Sequence, residues 1–250
     1  MFSFVIPTFG EEKLNERLGV LIAFLVSHSW SPYEVLVVDD SPLSHFLAMS
    51  NALKASSLEH VILLRGEKKG KGAALRQGVA HAKGGMIFML DADFPVDFKV
   101  LCTFREMLST GYDLVLAERT GKRVSATPMR TRLSHALYLM QRSFIFHGPF
   151  FRDTQCGFKA IRHTLARQLF PLLRVNGGMI DIELLYAAHK NHFCIGSVPV
   201  TEKPSIRPSQ IRVLKCLRQD PIDLVKTKAR GMMGHYKLTP HLGAACVSES

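Results

Sequence analysis

Short apolar runs alternate with longer stretches at helical spacing from the first residues of this chain to about residue 120. That alternation marks βαβ units on a mostly parallel sheet, because a parallel neighbour needs a crossover long enough to hold a helix. Phe2-Ser3-Phe4-Val5-Ile6 reads as a first strand stopped by Pro7; the helix after it opens near Glu11-Glu12 and carries Leu14, Leu18, Leu21, Ile22 and Leu25 at helical spacing. Further strands are expected at 34–38, 60–64, 86–90, 113–117 and 193–200, with helices at 43–58, 71–83, 96–109, 129–146, 164–173 and 179–190. Residues 153–159 read as irregular. The run 86–90 is apolar without alternation, so both of its faces belong inside the sheet. The expected fold is α/β, one domain over 1–210 followed by a basic amphipathic segment and tail at 211–250.

Within 250 residues, 47% hydrophobic and 21% charged describe an ordinary globular chain, yet 32 Lys+Arg against 21 Asp+Glu leave a net +11. The surplus sits in two places, +7 over 119–152 and +6 over 207–237, and favours polyanions such as nucleic acid, anionic lipid or phosphorylated ligands. No aromatic RNA-binding string or recognition-helix motif accompanies it, so nucleic acid is not the expected partner. The five cysteines show no zinc-ligand or C-x-x-C rhythm, which points to a reducing compartment. The longest apolar run, Leu18 to Val26, is too short to cross about 30 Å of hydrocarbon, and Met1 to Gly10 carries no basic n-region, so neither secretion nor transmembrane insertion is expected.

Carboxylates end two of the expected strands at the edge where open α/β sheets hold ligands. Asp91-x-Asp93 follows 86–90, and its hard oxygens suit Mg²⁺ or Mn²⁺ shared with a nucleotide diphosphate; Asp93 as a helix cap is the other reading. Asp39-Asp40-Ser41 follows 34–38 and suits either the N–H of a uracil or guanine edge or a cap for the helix after Pro42. Gly66 to Gly72 lacks the spacing and the Ser/Thr of a Walker loop, and remains either a basic anion-binding turn at a helix N-terminus or a solvated loop. Asp181-x-Glu183, after Asn176-Gly177-Gly178, suits a helix dipole; one of the pair could also act as base or orient a sugar hydroxyl. No H-E-x-x-H or G-x-S-x-G string is present.

Taken in order and spacing, Val5-Ile6-Pro7-Thr8-Phe9-Gly10-Glu11, Val37-Val38-Asp39-Asp40-Ser41, Gly70-Lys71-Gly72 through Arg76, Asp91-Ala92-Asp93, Asp153-Thr154-Gln155-Cys156-Gly157-Phe158-Lys159 and Asp181-Ile182-Glu183 resemble glycosyltransferase family 2. The D-T-Q-x-G-F-K string is similar to its polyprenyl-phosphate branch. The resemblance implies a GT-A-type, Rossmann-like fold and metal-dependent, inverting transfer of a hexose from a nucleotide sugar to a polyprenyl phosphate. By it Pro7, Phe9, Glu11, Asp39, Asp40, Lys71 and Arg76 would serve the nucleotide, and Asp91 and Asp93 the Mg²⁺ or Mn²⁺. Arg119, Asp181 and Glu183 would lie at the reacting centre, and Arg130, Arg132, Ser134 and Arg207 on the acceptor phosphate. The Gly-Lys-Gly turn is closer to members that use UDP-glucose than to those that use GDP-mannose. Gly10 stands where the family usually has Asn, and Pro95 where mannosyl members often carry a further metal-ligating Gln. A polyprenyl acceptor implies docking at an anionic membrane surface on the cytosolic face, directly through the basic amphipathic stretches at 129–146 and 211–217 or through an anchoring subunit.

Overall fold

The computed structural model describes residues 1–56, 58–120, 153–201 and 213–238, the last with side chains from 219 onward. Its seven strands form one mixed sheet in the order β3-β2-β1-β4-β6-β5-β7. β1 (Phe2–Thr8), β2 (Tyr33–Asp39), β3 (Val61–Arg65) and β4 (Met86–Leu90) run parallel, linked by α1 (Leu14–Ser27), α2 (Leu43–Ala55) and α3 (Lys71–His81). After α4 (Lys99–Ser109) and β5 (Leu114–Arg119), the chain returns as β6 (Phe158–Arg162), wedged antiparallel between β4 and β5. α5 (His163–Leu169), a 3₁₀ turn at Phe170–Leu172 and α6 (Ile180–Lys190) precede β7 (Ile195–Val200), which pairs parallel to β5 and is followed by α7 (Val213–Met232).

Successive residues of each strand feed opposite faces of the sheet, and two cores result. Phe4, Ile6, Val35, Val37, Phe88 and Leu90 pack under α1 and α4, while Val5, Leu36, Ile87 and Met89 pack under α3, α5 and α6. α1 buries Leu14, Leu18, Leu21 and Leu25 at helical spacing. Each such side chain is worth about 2 kcal/mol, so Leu18→Ala would cost about 3 kcal/mol with its cavity. Trp30 closes the first core with its ring edge-on to Phe2, Phe4 and Phe88 at 4.9, 5.6 and 5.1 Å. α7 lies on α6 through Leu224, Thr227 and Gly231, where a Cβ would collide with the Tyr186 ring.

Three features differ from the sequence reading. β1 is not stopped at Pro7 but runs to Thr8; its ladder with β4 ends at Val5↔Met89, so the missing N–H falls beyond the pairing on that side. The segment 153–159, read as irregular, ends inside β6, a strand concealed in the sequence by a buried Lys159 and by Arg162. Cys102 and Cys156 are free thiols, whereas Cys194 is disulfide-bonded, contrary to a reading in which all five stay reduced. The helix expected at 129–146 lies outside the described residues.

Candidate active site

The parallel strands β1, β2 and β4 end on one rim, and β6 delivers the segment 153–157 beneath it. The N–H of Asp91 donates to the Gly157 carbonyl at 3.0 Å, and a Cβ on residue 157 would collide with the Asp91 carboxylate. Glycine at 157 is therefore what lets the first aspartate of the pair stand where it does. Arg17 steadies the same turn from α1, donating to the Ala92 carbonyl at 3.2 Å while pairing with Glu11 at 3.1 Å. The sequence reading missed Arg17, although its place one turn into α1, close to Glu11, was visible.

A chain of alternating charges runs inward from Asp91. Lys71 Nζ lies 2.9 Å from Asp91 Oδ1 and 2.9 Å from Asp181 Oδ2; Lys159 Nζ lies 2.9 Å from Asp181 Oδ1 and donates to the Cys156 carbonyl at 2.6 Å. Lys159 is 1% exposed, so its ammonium depends on these partners. Burial alone would raise the Asp181 pKa, but the charges of Lys159 and then Lys71 outweigh it and hold the carboxyl below its ordinary range. Burial would likewise lower Lys71, and Asp181 and Asp91 together push it up instead. Asp93, turned toward solvent at its edge, is raised by desolvation first and by the neighbouring Asp91 charge second. The two carboxylates are thus close enough to repel, in a position that attracts cations. Asp93 does not cap the next helix, where Asp97 accepts the N–H of Lys99 at 2.9 Å. Among the described residues no cluster of three or more His, Cys, Asp or Glu forms, so a cation here would have two protein carboxylates and complete its shell elsewhere. Hard oxygens with open positions fit Mg²⁺ or Mn²⁺.

The β2 end is built differently. Asp39 Oδ1 accepts the Ser41 N–H at 3.1 Å and the Ser41 hydroxyl, while Asp40 accepts the N–H groups of Lys68 at 3.1 Å and Gly70 at 2.7 Å. Asp40, expected at the nucleotide, instead holds the 66–70 turn, and a Cβ at Gly66 would collide with its carboxylate. Asp39 keeps Oδ2 without a hydrogen bond, as are the neighbouring Thr8 Oγ1 and Arg65 Nη1, the latter 3.7 Å from it. These three residues form one row across β1, β2 and β3. Pro7 is buried, Phe9 is 63% exposed at the rim, and the Gly10 N–H donates to Ser41 Oγ at 2.7 Å.

The glycine turn clasps the 175–178 loop: the Gly72 N–H donates to the Asn176 carbonyl at 2.8 Å, and Arg76 donates to the Val175 carbonyl at 2.6 Å and to the Asn176 side chain. Glu183, expected at the reacting centre, is fully buried behind it. Its carboxylate accepts the N–H groups of Arg174 (2.9 Å) and Val175 (2.7 Å) and the Tyr236 hydroxyl (2.5 Å), and pairs with Arg230 at 3.4 Å. It ties the loop and the C-terminal segment together rather than facing the cleft. Arg119 grips Asp153 through both Nε and Nη2, the latter at 3.0 Å. Burial favours a raised Asp153 pKa, and the Arg119 bonds and charge reverse it to below the ordinary value. Arg130, Arg132, Ser134 and Arg207 lie outside the described residues.

Residues 3–170 match the family model described as "Glycosyl transferase family 2". A dolichyl-phosphate beta-glucosyltransferase of Dictyostelium discoideum is 26% identical over 255 residues, spanning 94% of this chain and 76% of the relative. That of Drosophila melanogaster is 31% identical over 217 residues, spanning 79% and 65%. Among solved structures, glucosyl-3-phosphoglycerate synthase from Mycobacterium tuberculosis superposes with TM-score 0.66 at 20% identity, covering 92% of this chain and 81% of that one. The same enzyme in complex with Mn²⁺, UDP-glucose and phosphoglyceric acid gives TM-score 0.63 at 21% identity, covering 92% and 80%. These neighbours share the GT-A fold expected from the sequence. The match over most of the chain, together with the aspartate pair at the end of β4, places this protein in glycosyl transferase family 2.

Proposed function

We propose that this glycosyltransferase moves glucose from UDP-glucose to a polyprenyl phosphate at an anionic membrane surface, with inversion and with Mg²⁺ or Mn²⁺ bound by Asp91 and Asp93. The observation that carries the reading is the Asp91 carboxylate, set beside Asp93 by the glycine at 157 and already answered by a positive charge. Residues 1–210 would form the catalytic unit and 211–250 its membrane-facing segment. The names of the relatives support the acceptor and the glucosyl donor.

For the base, Thr8, Asp39 and Arg65 present a hydroxyl donor, a carboxylate acceptor and a guanidinium donor in one row, the complement of the acceptor–donor–acceptor edge of uracil. Guanine offers two adjacent donors and would want both oxygens of Asp39, one of which is committed to Ser41. Arg65 is partly exposed and opens the row by turning outward, and Phe9 offers a face for stacking. The divalent ion would supply charge to stabilise the departing diphosphate. Lys71 adds a second positive charge on the same side. A lipid phosphate is anionic at neutral pH, so it needs positioning more than a strong base. Arg119, fixed in plane by Asp153, would stand at the reacting centre, with Arg130, Arg132, Ser134 and Arg207 on the acceptor phosphate. Asp181, held by two ammonium groups, orients Lys71 instead of accepting a proton.

Among the described residues no helix is long and apolar enough to cross a membrane. The outward face of α7 supports peripheral docking, for which we propose the cytosolic side. Ile222, Val225 and Met232 are 42%, 54% and 76% exposed in one stripe, Lys226 and Lys228 flank it, and Asp223 is buried on the opposite face. Flotation with anionic vesicles is expected to weaken with salt and to fail for Val225→Glu; salt-independent flotation would contradict this. The central test offers labelled UDP-glucose or GDP-mannose with a polyprenyl phosphate and Mn²⁺ or Mg²⁺, and scores label in the organic phase. UDP-glucose should label the lipid, and chelator should abolish the signal. Label found only on soluble glycan or protein would replace the acceptor assignment.

A further inference from the structure

Asp91 answers to two cations at once, one from the fold and one expected from solution. Lys71 Nζ sits 2.9 Å from Asp91 Oδ1, and Asp181, locked by Lys159, holds the same ammonium at 2.9 Å. A divalent ion on that carboxylate would bind at about 2.1 Å from its oxygens, leaving a double and a single positive charge only a few ångströms apart. The side chains of Lys71 and Asp91 are 25% and 32% exposed, so water screens the repulsion only partly. An anion placed between the two cations would turn the repulsion into a shared attraction, and a nucleotide diphosphate is such an anion.

We infer that Lys71 makes divalent-cation binding at Asp91 and Asp93 conditional on a nucleoside diphosphate: its ammonium competes with the free ion for Asp91, and it moves to the diphosphate when ion and nucleotide arrive together. Asp181 is the pivot of that movement, because its other oxygen is fixed by Lys159, which is anchored in turn on the Cys156 carbonyl. The lysine therefore need not leave the cleft to release Asp91. Gly70, with a backbone φ of +111°, and Gly72, packed against the Val175 carbonyl, hold the start of α3 so that Lys71 points into this position. The device guards the aspartate pair against free cations and sets an order of loading. It rests on the metal assignment made above, and extends it to a residue that is not a ligand.

The test is a Mn²⁺ titration followed by the electron paramagnetic resonance signal of the free ion, with and without UDP, on the full chain. For the wild type, Mn²⁺ alone should bind weakly and UDP should tighten it. Lys71→Met should bind Mn²⁺ alone about tenfold more tightly than wild type and lose most of the tightening by UDP, while Lys71→Arg, which keeps the charge, should restore the coupling. Lys71→Gln, which retains a donor within reach of both carboxylates, carries the same expectation should the methionine variant unfold. Equal affinity of wild type and both neutral variants for Mn²⁺ alone overturns the inference. Asp93→Asn separates the two claims: if it binds Mn²⁺ with UDP as well as wild type, the metal assignment itself falls. If it loses that binding while the Lys71 variants behave as wild type, only the role of Lys71 falls.

Discussion

The ends of β2 and β4 look alike in sequence, each an apolar run closed by two carboxylates, and the fold treats them in opposite ways. At β2, three of the four carboxylate oxygens accept hydrogen bonds from the chain's own N–H groups and from Ser41, leaving only Asp39 Oδ2 without one. At β4, Asp91 meets a lysine ammonium, and Asp93 meets the charge of Asp91. A carboxylate filled by fixed neutral donors becomes scaffold, whereas one balanced by a movable charge stays open to exchange. The difference comes from the segments that approach each rim, the 66–70 turn at one and 153–157 at the other.

The most severe break in this contrast should be Asp91→Asn, with about a thousandfold loss of sugar transfer and little change in thermal stability. A large fall in melting temperature would instead assign Asp91 to the scaffold. Next, Lys159→Met or Glu183→Gln should cost about 3 kcal/mol in urea unfolding, because the first strips buried Asp181 of one of its two ammonium partners and the second removes one of the acceptor oxygens shared by Arg174, Val175, Tyr236 and Arg230. A Glu183→Gln protein that is stable but inactive would return Glu183 to the chemistry. Asp40→Asn should cost about 2 kcal/mol by loosening the 66–70 turn, and should raise KM for the nucleotide sugar more than it lowers kcat.

Acid should act through Asp153 and Asp181, whose folded pKa values lie below the ordinary carboxylate value of about 3.9. Each binds its proton less readily folded than unfolded, so their contribution is complete above that value and disappears as pH falls through the lower folded one. Urea midpoints measured from pH 6 down to pH 2 should show the loss, and Asp153→Asn should flatten it. The smallest effect has the opposite sign. Asp220 is pushed up to about 6, by desolvation and then by Asp223, so its charged form opposes folding above that pH. Asp220→Asn should therefore gain about 1 kcal/mol at pH 8, after allowance for solvent screening, and almost nothing at pH 4.

The six parallel strands, β7 included, and the described helices between them were legible because their apolar spacing follows directly from which faces are covered. Met86–Leu90 even matches its observed limits. β6 was not, since Lys159 and Arg162 break its apolar run, and a lysine that is 1% exposed has no signature of its own in a sequence. The site divides along the same line. The aspartates of both rims stood out because strand ends are where ligands gather, but which oxygens stay open depends on N–H groups of Lys68 and Gly70, some thirty positions away in the chain. The surroundings of Glu183 were hidden for a related reason. A helix N-terminus accounts for an acid equally well whether it faces the cleft or, as here, the buried amides of Arg174 and Val175.

The Arg119–Asp153 clasp has a consequence for how such a chain could diversify. The ion pair joins the end of β5 to the segment that leads into β6, and it does so by charge rather than by apolar contact. A rim tied by paired charges does not depend on the shape of its apolar neighbours, so those could be exchanged over time while the aspartates at the end of β4 kept their place.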